Sequence, residues 1–194
     1  YVEKDIRQII NITNNQVFST FMTLLASHTG QELNYNTLSN DVGVSHNTIR
    51  KWVSILEQSF LVYLLPAWNI NTKKQILKRP KLHFIDTGLV CYLLGIQAPD
   101  QLKKHPLRGA IFETWVVSEI YKQKTSKGQV TKLFHYRENM GLEFDLLKKN
   151  GEKMIPYEIK SAATIQNSFL KSFKILPHRD KPPFIFDQGK IIYG

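Results

Sequence analysis

The chain has 194 residues, 42% of them hydrophobic and 22% charged, which is an ordinary balance for a globular protein and enough length for one domain or two small ones. No apolar run approaches the roughly 18 residues a membrane helix needs, no secretory leader is visible, and a single cysteine, Cys91, excludes an internal disulfide and any Cys-x-x-Cys metal clip. The net charge of +10 points to an anionic partner such as DNA.

These features together lead to the expectation of a cytoplasmic location with no membrane contact. The first residue is Tyr1 rather than methionine, so a fragment of a longer chain is expected. The charge is unevenly placed. Residues 1–65 carry four Lys/Arg against five Asp/Glu, residues 66–110 eight against two, and residues 111–194 fourteen against nine.

In chain order, Val2 to Ile10 reads as a short helix, and Asn14 and Asn15 are candidate caps for the next one. That helix carries Val17, Phe18, Phe21, Leu24 and Leu25 at helical spacing, and Gly30 stops it. A short helix follows over Asn36 to Val42. Gly43 then permits a sharp bend, and Ser45 caps a third helix in which Ile49, Trp52, Val53 and Leu56 form the buried stripe. Phe60 to Leu65 reads as a strand, Asn69 to Arg79 as a polar, basic loop, and Lys81 to Ile85 as a returning strand.

Helix, short helix, tight turn, helix and ribbon is the order of a winged helix-turn-helix. Ser45 to Gln58 is then the recognition helix, presenting His46, Asn47, Arg50 and Lys51. Lys73, Lys74, Lys78 and Arg79 form the wing, and together the two sets are candidates for contacts to DNA phosphates. The same arrangement also serves protein contacts, and the near-neutral charge of the first 65 residues suits that alternative.

Asp86 caps a helix that Gly95 ends. Residues 96–106 read as a polar connector, dividing the chain into units 1–95 and 107–194. Arg108 to Lys122 is an amphipathic helix with Ile111, Phe112, Trp115, Val116 and Ile120 apolar. A strand over Val130 to Arg137, a hairpin, a helix over Ile165 to Leu176, and short strands at Pro183 to Phe186 and Lys190 to Tyr193 complete the chain. The fold class expected is mixed α/β, or α+β: the winged helix-turn-helix followed by a small α/β sandwich with a mixed sheet. Trp52, Trp68 and Trp115 are expected in the core rather than as base-stacking platforms. The six histidines are too scattered for a zinc site visible in the sequence.

The hairpin carries the chemistry. Asn150-Gly151 lies between two runs of alternating polarity, the signature of a type I′ turn. With those two residues as the turn, Leu142, Phe144 and Leu146 oppose Ile159, Tyr157 and Ile155 on one apolar face. The other face pairs Glu143 with Glu158 and Asp145 with Pro156, and Lys160 lies one step along. Like charges in register are destabilising unless compensated, and a divalent cation bound by carboxylate oxygens, Mg²⁺ or Mn²⁺, would compensate them. A plain solvent face has the same alternation. Pro156 would occupy a position that needs an N–H, which a β-bulge or an edge position relieves while moving Asp145 relative to Glu158.

Glu113, Asp145 and Glu158-Ile159-Lys160 resemble the PD-(D/E)xK nuclease signature: an acidic residue on a helix, Asp on one strand, Glu-x-Lys on the next. Gly141-Leu-Glu-Phe-Asp-Leu-Leu147 with Tyr157-Glu-Ile-Lys-Ser161 resembles the Holliday-junction-resolvase branch. The whole chain is similar to the C-terminal domain that follows the ATPase core of prokaryotic AAA+-type ATPases, through Tyr1-Val-Glu-Lys-Asp-Ile-Arg7, Phe84-Ile-Asp-Thr-Gly-Leu89, Tyr92-Leu-Leu-Gly95 and Arg108-Gly-Ala-Ile-Phe-Glu-Thr114.

The resemblance implies a restriction-endonuclease-like sandwich in which Asp145, Glu158 and the Ile159 carbonyl hold metal. Lys160 would stabilise charge, and Glu113 would complete a set of catalytic residues. Phe144 stands where the superfamily's proline usually precedes the aspartate. No Gly-x4-Gly-Lys-Ser/Thr loop occurs, so no ATP site is expected in this chain. Two functions stay open: a Mg²⁺-dependent endonuclease that binds DNA, and a catalytically inactive DNA- or protein-binding module for the ATPase core.

Overall fold

A computed structural model describes residues 15–69, 71, 78–129, 132–138, 141–178 and 182–194. The expected helix at Val2 to Ile10, the cap Asn14, and the wing residues Lys73 and Lys74 lie outside the described residues.

Helices α1 (Asn15–Ser27), α2 (Tyr35–Val42) and α3 (His46–Gln58) precede a two-stranded antiparallel sheet of β1 (Val62–Leu65) and β2 (Lys81–Phe84). The local chemistry accounts for the order. Asn34 caps α2 through its side-chain oxygen, and Gly43 ends it at φ 77°. Ser45 caps α3 by accepting the Thr48 N–H. One core joins these elements, with Phe18, Phe21, Leu25, Ile49, Val53 and Leu56 wholly buried and Trp52 packed edge-on to Phe18 and Phe21. The first strand starts later than expected. Phe60 is exposed at φ 56°, a turn conformation, so pairing begins at Val62.

Helix α4 (Thr87–Leu93) is capped by Asp86 as read. The polar connector is not extended chain: it holds α5 (Pro99–Lys104), started by Pro99 and closed by the Gln101 side chain against the preceding backbone. Helix α6 (Arg108–Thr125) then runs beside both halves of the chain. Ile111 joins the first core, and Val116 and Val117 join a second one.

The second sheet is mixed, in the order β3 (Leu133–Arg137), β4 (Glu143–Asn150), β5 (Lys153–Lys160), β6 (Lys190–Tyr193), with only the β5–β6 pair parallel. The expected helix at Ile165 to Leu176 is broken into a 3₁₀ turn, α7 (Lys171–Ile175) and another 3₁₀ turn. The expected strand at Pro183 to Phe186 contributes a single bridge, Phe186 to Met154. The architecture is therefore mixed α and β, with helices and two sheets.

The hairpin register differs from the one expected. Asn150 pairs with Lys153, so the loop is Gly151-Glu152, and Leu147 rather than Asp145 faces Pro156. Gly151 has φ 60° while no such value occurs at Asn150 or Glu152. Positive φ at the first loop position alone suits a type II′ turn, where glycine is nearly free of steric cost.

The single apolar face is also corrected. Leu146, Tyr157 and Ile159 pack with α6, whereas Leu142 and Phe144 pack with Leu147, Met154 and Phe184 on the opposite side. The register of β3 against β4 slips between Phe134 and Tyr136. One extra residue in a strand exchanges the faces on either side of it.

The two sheets are tied together by backbone. Ala67 and His135 form a parallel bridge, with Trp68 N donating to His135 O at 2.7 Å and His135 N to Pro66 O at 2.9 Å.

Candidate functional site

Asp145 sits beside the strand irregularity, 5% exposed. Its Oδ2 accepts the Ile159 backbone N–H at 2.7 Å and lies 3.2 Å from Lys160 Nζ. Lys160 in turn reaches Glu158 Oε1 at 2.8 Å. The expected convergence of Asp145 and Glu158 is therefore present, and the ammonium of Lys160 stands at the point they share. Glu143 is not opposite Glu158. It is 41% exposed and faces Arg137 Nε at 3.7 Å, so it is a neighbour of the cluster.

Helix α6 delivers Glu113 to the same place, with a side chain 13% exposed. Its partner was not anticipated. Lys81, at the start of β2 in the first sheet, places Nζ 3.0 Å from Glu113 Oε1 and 4.0 Å from Asp145 Oδ1. The result is a continuous row, Glu113–Lys81–Asp145–Lys160–Glu158, of three carboxylates and two ammonium groups. The sequence carried no direct signal for Lys81, which in the fold opens a strand whose residues are all buried. A buried lysine needs a counter-charge.

The electrostatics follow from burial and pairing. Burial would lower the Lys81 pKa, but Glu113 and Asp145 outweigh it and hold the group above its ordinary value. Burial raises the Glu113 carboxyl to about 7, with Asp145 adding to the rise and Lys81 opposing it. Burial also raises Glu158, Asp145 reinforcing it and Lys160 opposing it. Lys160 is raised because Asp145 and Glu158 overcome its desolvation.

This donor set, as arranged, does not fit a divalent ion. Each carboxylate is engaged by a lysine, and among the described residues no three His, Cys, Asp or Glu side chains are grouped to hold a metal.

Two histidines border the row. His83 Nδ1 is 3.1 Å from Thr114 Oγ1, which is 2.9 Å from Thr29 Oγ1, a buried polar link between the turn after α1, β2 and α6. His135 Nε2 is 3.1 Å from the Arg79 carbonyl. Burial lowers the pKa of both, with the Lys81 charge adding to it, so both rings are neutral.

A second feature is a basic groove. A cavity of about 520 Å³ is lined by Lys78, Arg79, His135 and Arg137 together with Glu32 and Glu138, and an adjoining one of about 260 Å³ by His46, Arg50, Lys78 and Arg79. Tyr35 positions the helix side, with the His46 ring 5.7 Å and the Arg50 guanidinium 5.6 Å from its centroid. The structure thus brings together His46, Arg50, Lys78 and Arg79 of the expected nucleic-acid set and adds Arg137. Asn47 and Lys51 are exposed on α3 and line neither cavity.

Of the tryptophans, Trp52 is core and Trp68 is partly buried, its indole N–H donating to the Pro183 carbonyl. Trp115 is 48% exposed, contrary to expectation, because Thr114 and Ser118 rather than Trp115 fill the buried side of α6.

Residues 1–100 match the family model described as Domain of unknown function (DUF8612), and residues 108–193 match that described as Domain of unknown function (DUF4143). The chain is similar to uncharacterized proteins of Mycobacterium tuberculosis and Mycobacterium bovis, each 26% identical over 164 residues, covering 84% of this chain and 36% of the relative. An uncharacterized protein of Haemophilus influenzae is 27% identical over 99 residues, covering 48% of this chain and 25% of its own length. The chain thus spans about a third or less of the length of these curated relatives. No solved structure matches.

Proposed function

The chain belongs to the family described as Domain of unknown function (DUF8612), and from that premise we propose that it is the nucleic-acid-binding C-terminal part of a longer AAA+-type ATPase. In this reading residues 1–95 are a winged helix-turn-helix and residues 107–194 a nuclease-like sandwich of the PD-(D/E)xK kind, joined by the connector 96–106. The sandwich acts as a binding platform and does not cleave. The relatives extend well beyond the matched 36%, which leaves room for an ATPase core in a protein of that kind.

The observation that carries the proposal is the basic groove, two adjoining cavities that share Lys78 and Arg79, one bordered by the start of α3 and the other by Arg137 of the second sheet. Four cations along two adjoining cavities, outnumbering the two carboxylates Glu32 and Glu138, suit the regular charge of a phosphate backbone. Duplex DNA labelled with a fluorophore should bind, with an affinity that falls as salt rises. Arg50→Ala and Arg79→Ala should each weaken binding across unrelated sequences and reduce the log–log salt slope by about 1. Binding insensitive to both substitutions, or to salt, would reject the proposal.

A second reading, a Mg²⁺- or Mn²⁺-dependent endonuclease, is favoured by the convergence of Asp145, Glu158 and Lys160 beside Glu113. Cleavage of branched or single-stranded DNA that needs metal and is lost in both Asp145→Ala and Lys160→Ala would establish this reading over the first.

A further inference from the structure

Lys81 stands between two carboxylates of a nuclease-like set, Glu113 and Asp145, whose third member, Glu158, is paired with Lys160. It comes from β2, in the first sheet, and inserts between Glu113 of α6 and Asp145 of β4, at 3.0 and 4.0 Å. Its side chain is 8% exposed, so the ammonium is shielded from water and its counter-charges are those two carboxylates. The other side of Asp145 is held by Lys160 and the Ile159 N–H. The five groups sum to a charge of minus one, against minus two were Lys81 neutral.

We propose that Lys81 is the cation of this site. Its ammonium takes the place between Glu113 and Asp145 that a divalent metal would need, and it excludes such a metal from the wild-type chain. A compact monovalent group with three N–H donors satisfies the two carboxylates without a coordination shell. A hard divalent ion would require oxygen ligands at about 2.1 Å, and the ammonium obstructs them. The inference rests on reading Glu113, Asp145 and Glu158 as a nuclease-like set, but it needs no DNA binding. Failure of the nucleic-acid proposal would leave it standing.

Mn²⁺ alone is the probe, followed by the electron paramagnetic resonance signal of the free ion and by the shift in melting temperature. The wild type should show no saturable site up to about 1 mM, a range in which a genuine site would still register. Lys81→Gln should gain one, at least tenfold tighter than anything in the wild type, and Mn²⁺ should raise its melting temperature. Lys81→Gln combined with Asp145→Asn should lose both effects. Lys81→Arg, which keeps a cation in place, should behave as the wild type.

Wild-type binding of Mn²⁺ that Asp145→Asn abolishes overturns the proposal, whatever the folding of the other variants. So does a Lys81→Gln chain, folded by circular dichroism, that binds no Mn²⁺. If Lys81→Gln is unfolded without metal, refolding on addition of Mn²⁺ supports the proposal and failure to refold overturns it.

Discussion

Asp145 makes more of the second sheet's polar contacts than any neighbour in its row: an N–H at 2.7 Å, one ammonium at 3.2 Å and another at 4.0 Å. Removing it strands a backbone donor and leaves Lys81 with Glu113 alone. Asp145→Ala should therefore cost about 3–5 kcal/mol in urea unfolding, the range for breaking a buried charged pair. Glu158→Ala, which removes only a contact to the partly exposed Lys160, should cost about 1 kcal/mol. Equal costs would contradict the central place of Asp145.

The histidines set a pH dependence. His135 is held near 4 by burial and by the Lys81 charge, and His83 is lowered for the same reasons, whereas an unfolded histidine titrates near 6.5. The unfolded chain therefore binds protons that the fold refuses. Their contribution to stability is complete above about pH 6.5 and falls as pH drops towards 4. Glu113 acts in the opposite sense. Raised to about 7, it binds its proton more tightly in the fold, so its contribution is complete below about 4.5 and is lost as pH rises through 7. Stability measured against pH should lose up to one proton of slope between 6.5 and 4 in His135→Asn. The acid loss should become steeper in Glu113→Gln. An unchanged slope in His135→Asn would show that His135 is not held neutral.

At the scale of elements, the caps and turns separate what local sequence settles from what pairing settles. The Ser45 cap was legible, since a short polar side chain before an apolar stripe has few other uses. Ser45→Ala should cost about 1 kcal/mol in thermal unfolding. The hairpin was legible as a hairpin but not in register. Asn150-Gly151 satisfies the local rule for a type I′ turn, yet the sheet places the loop one residue later.

The two registers predict different mutant costs. With the loop at Gly151-Glu152, Gly151→Ala at φ 60° should cost about 1 kcal/mol and Asn150→Ala only a few tenths. Comparable losses at both positions would restore the type I′ reading. The shift matters for the site, because it moves Asp145 away from Pro156 and brings its carboxylate to the Ile159 N–H.

At the scale of the whole molecule, α6 is the element both halves depend on. Ile111 completes the first core, Val116 and Val117 the second, and Thr114 ties Thr29 and His83 together between them. Thr114→Val keeps the shape but leaves two buried polar partners unmatched, so it should cost about 1–3 kcal/mol. If α6 couples the halves as this packing indicates, the chain should melt in one transition, with calorimetric and van't Hoff enthalpies equal. Two resolved transitions would show that the halves unfold independently.

The sequence by itself determined the elements whose causes are local: the apolar stripes of α1 and α3, the caps at Ser45 and Asp86, and the alternation that makes Leu142 to Lys160 a hairpin with Asp145, Glu158 and Lys160 near one another. Propensity, capping and periodicity act within a few residues, so they can be read from the chain alone. Only the tertiary structure decided which residues complete the site. The slip between β3 and β4 chose the side of the sheet to which each half of β4 turns. The packing of β2 against α6 brought Lys81, thirty-two residues before Glu113, into a row of carboxylates. Charge pairing across that distance leaves no periodic trace in the sequence, because it depends on how two sheets and a helix are stacked.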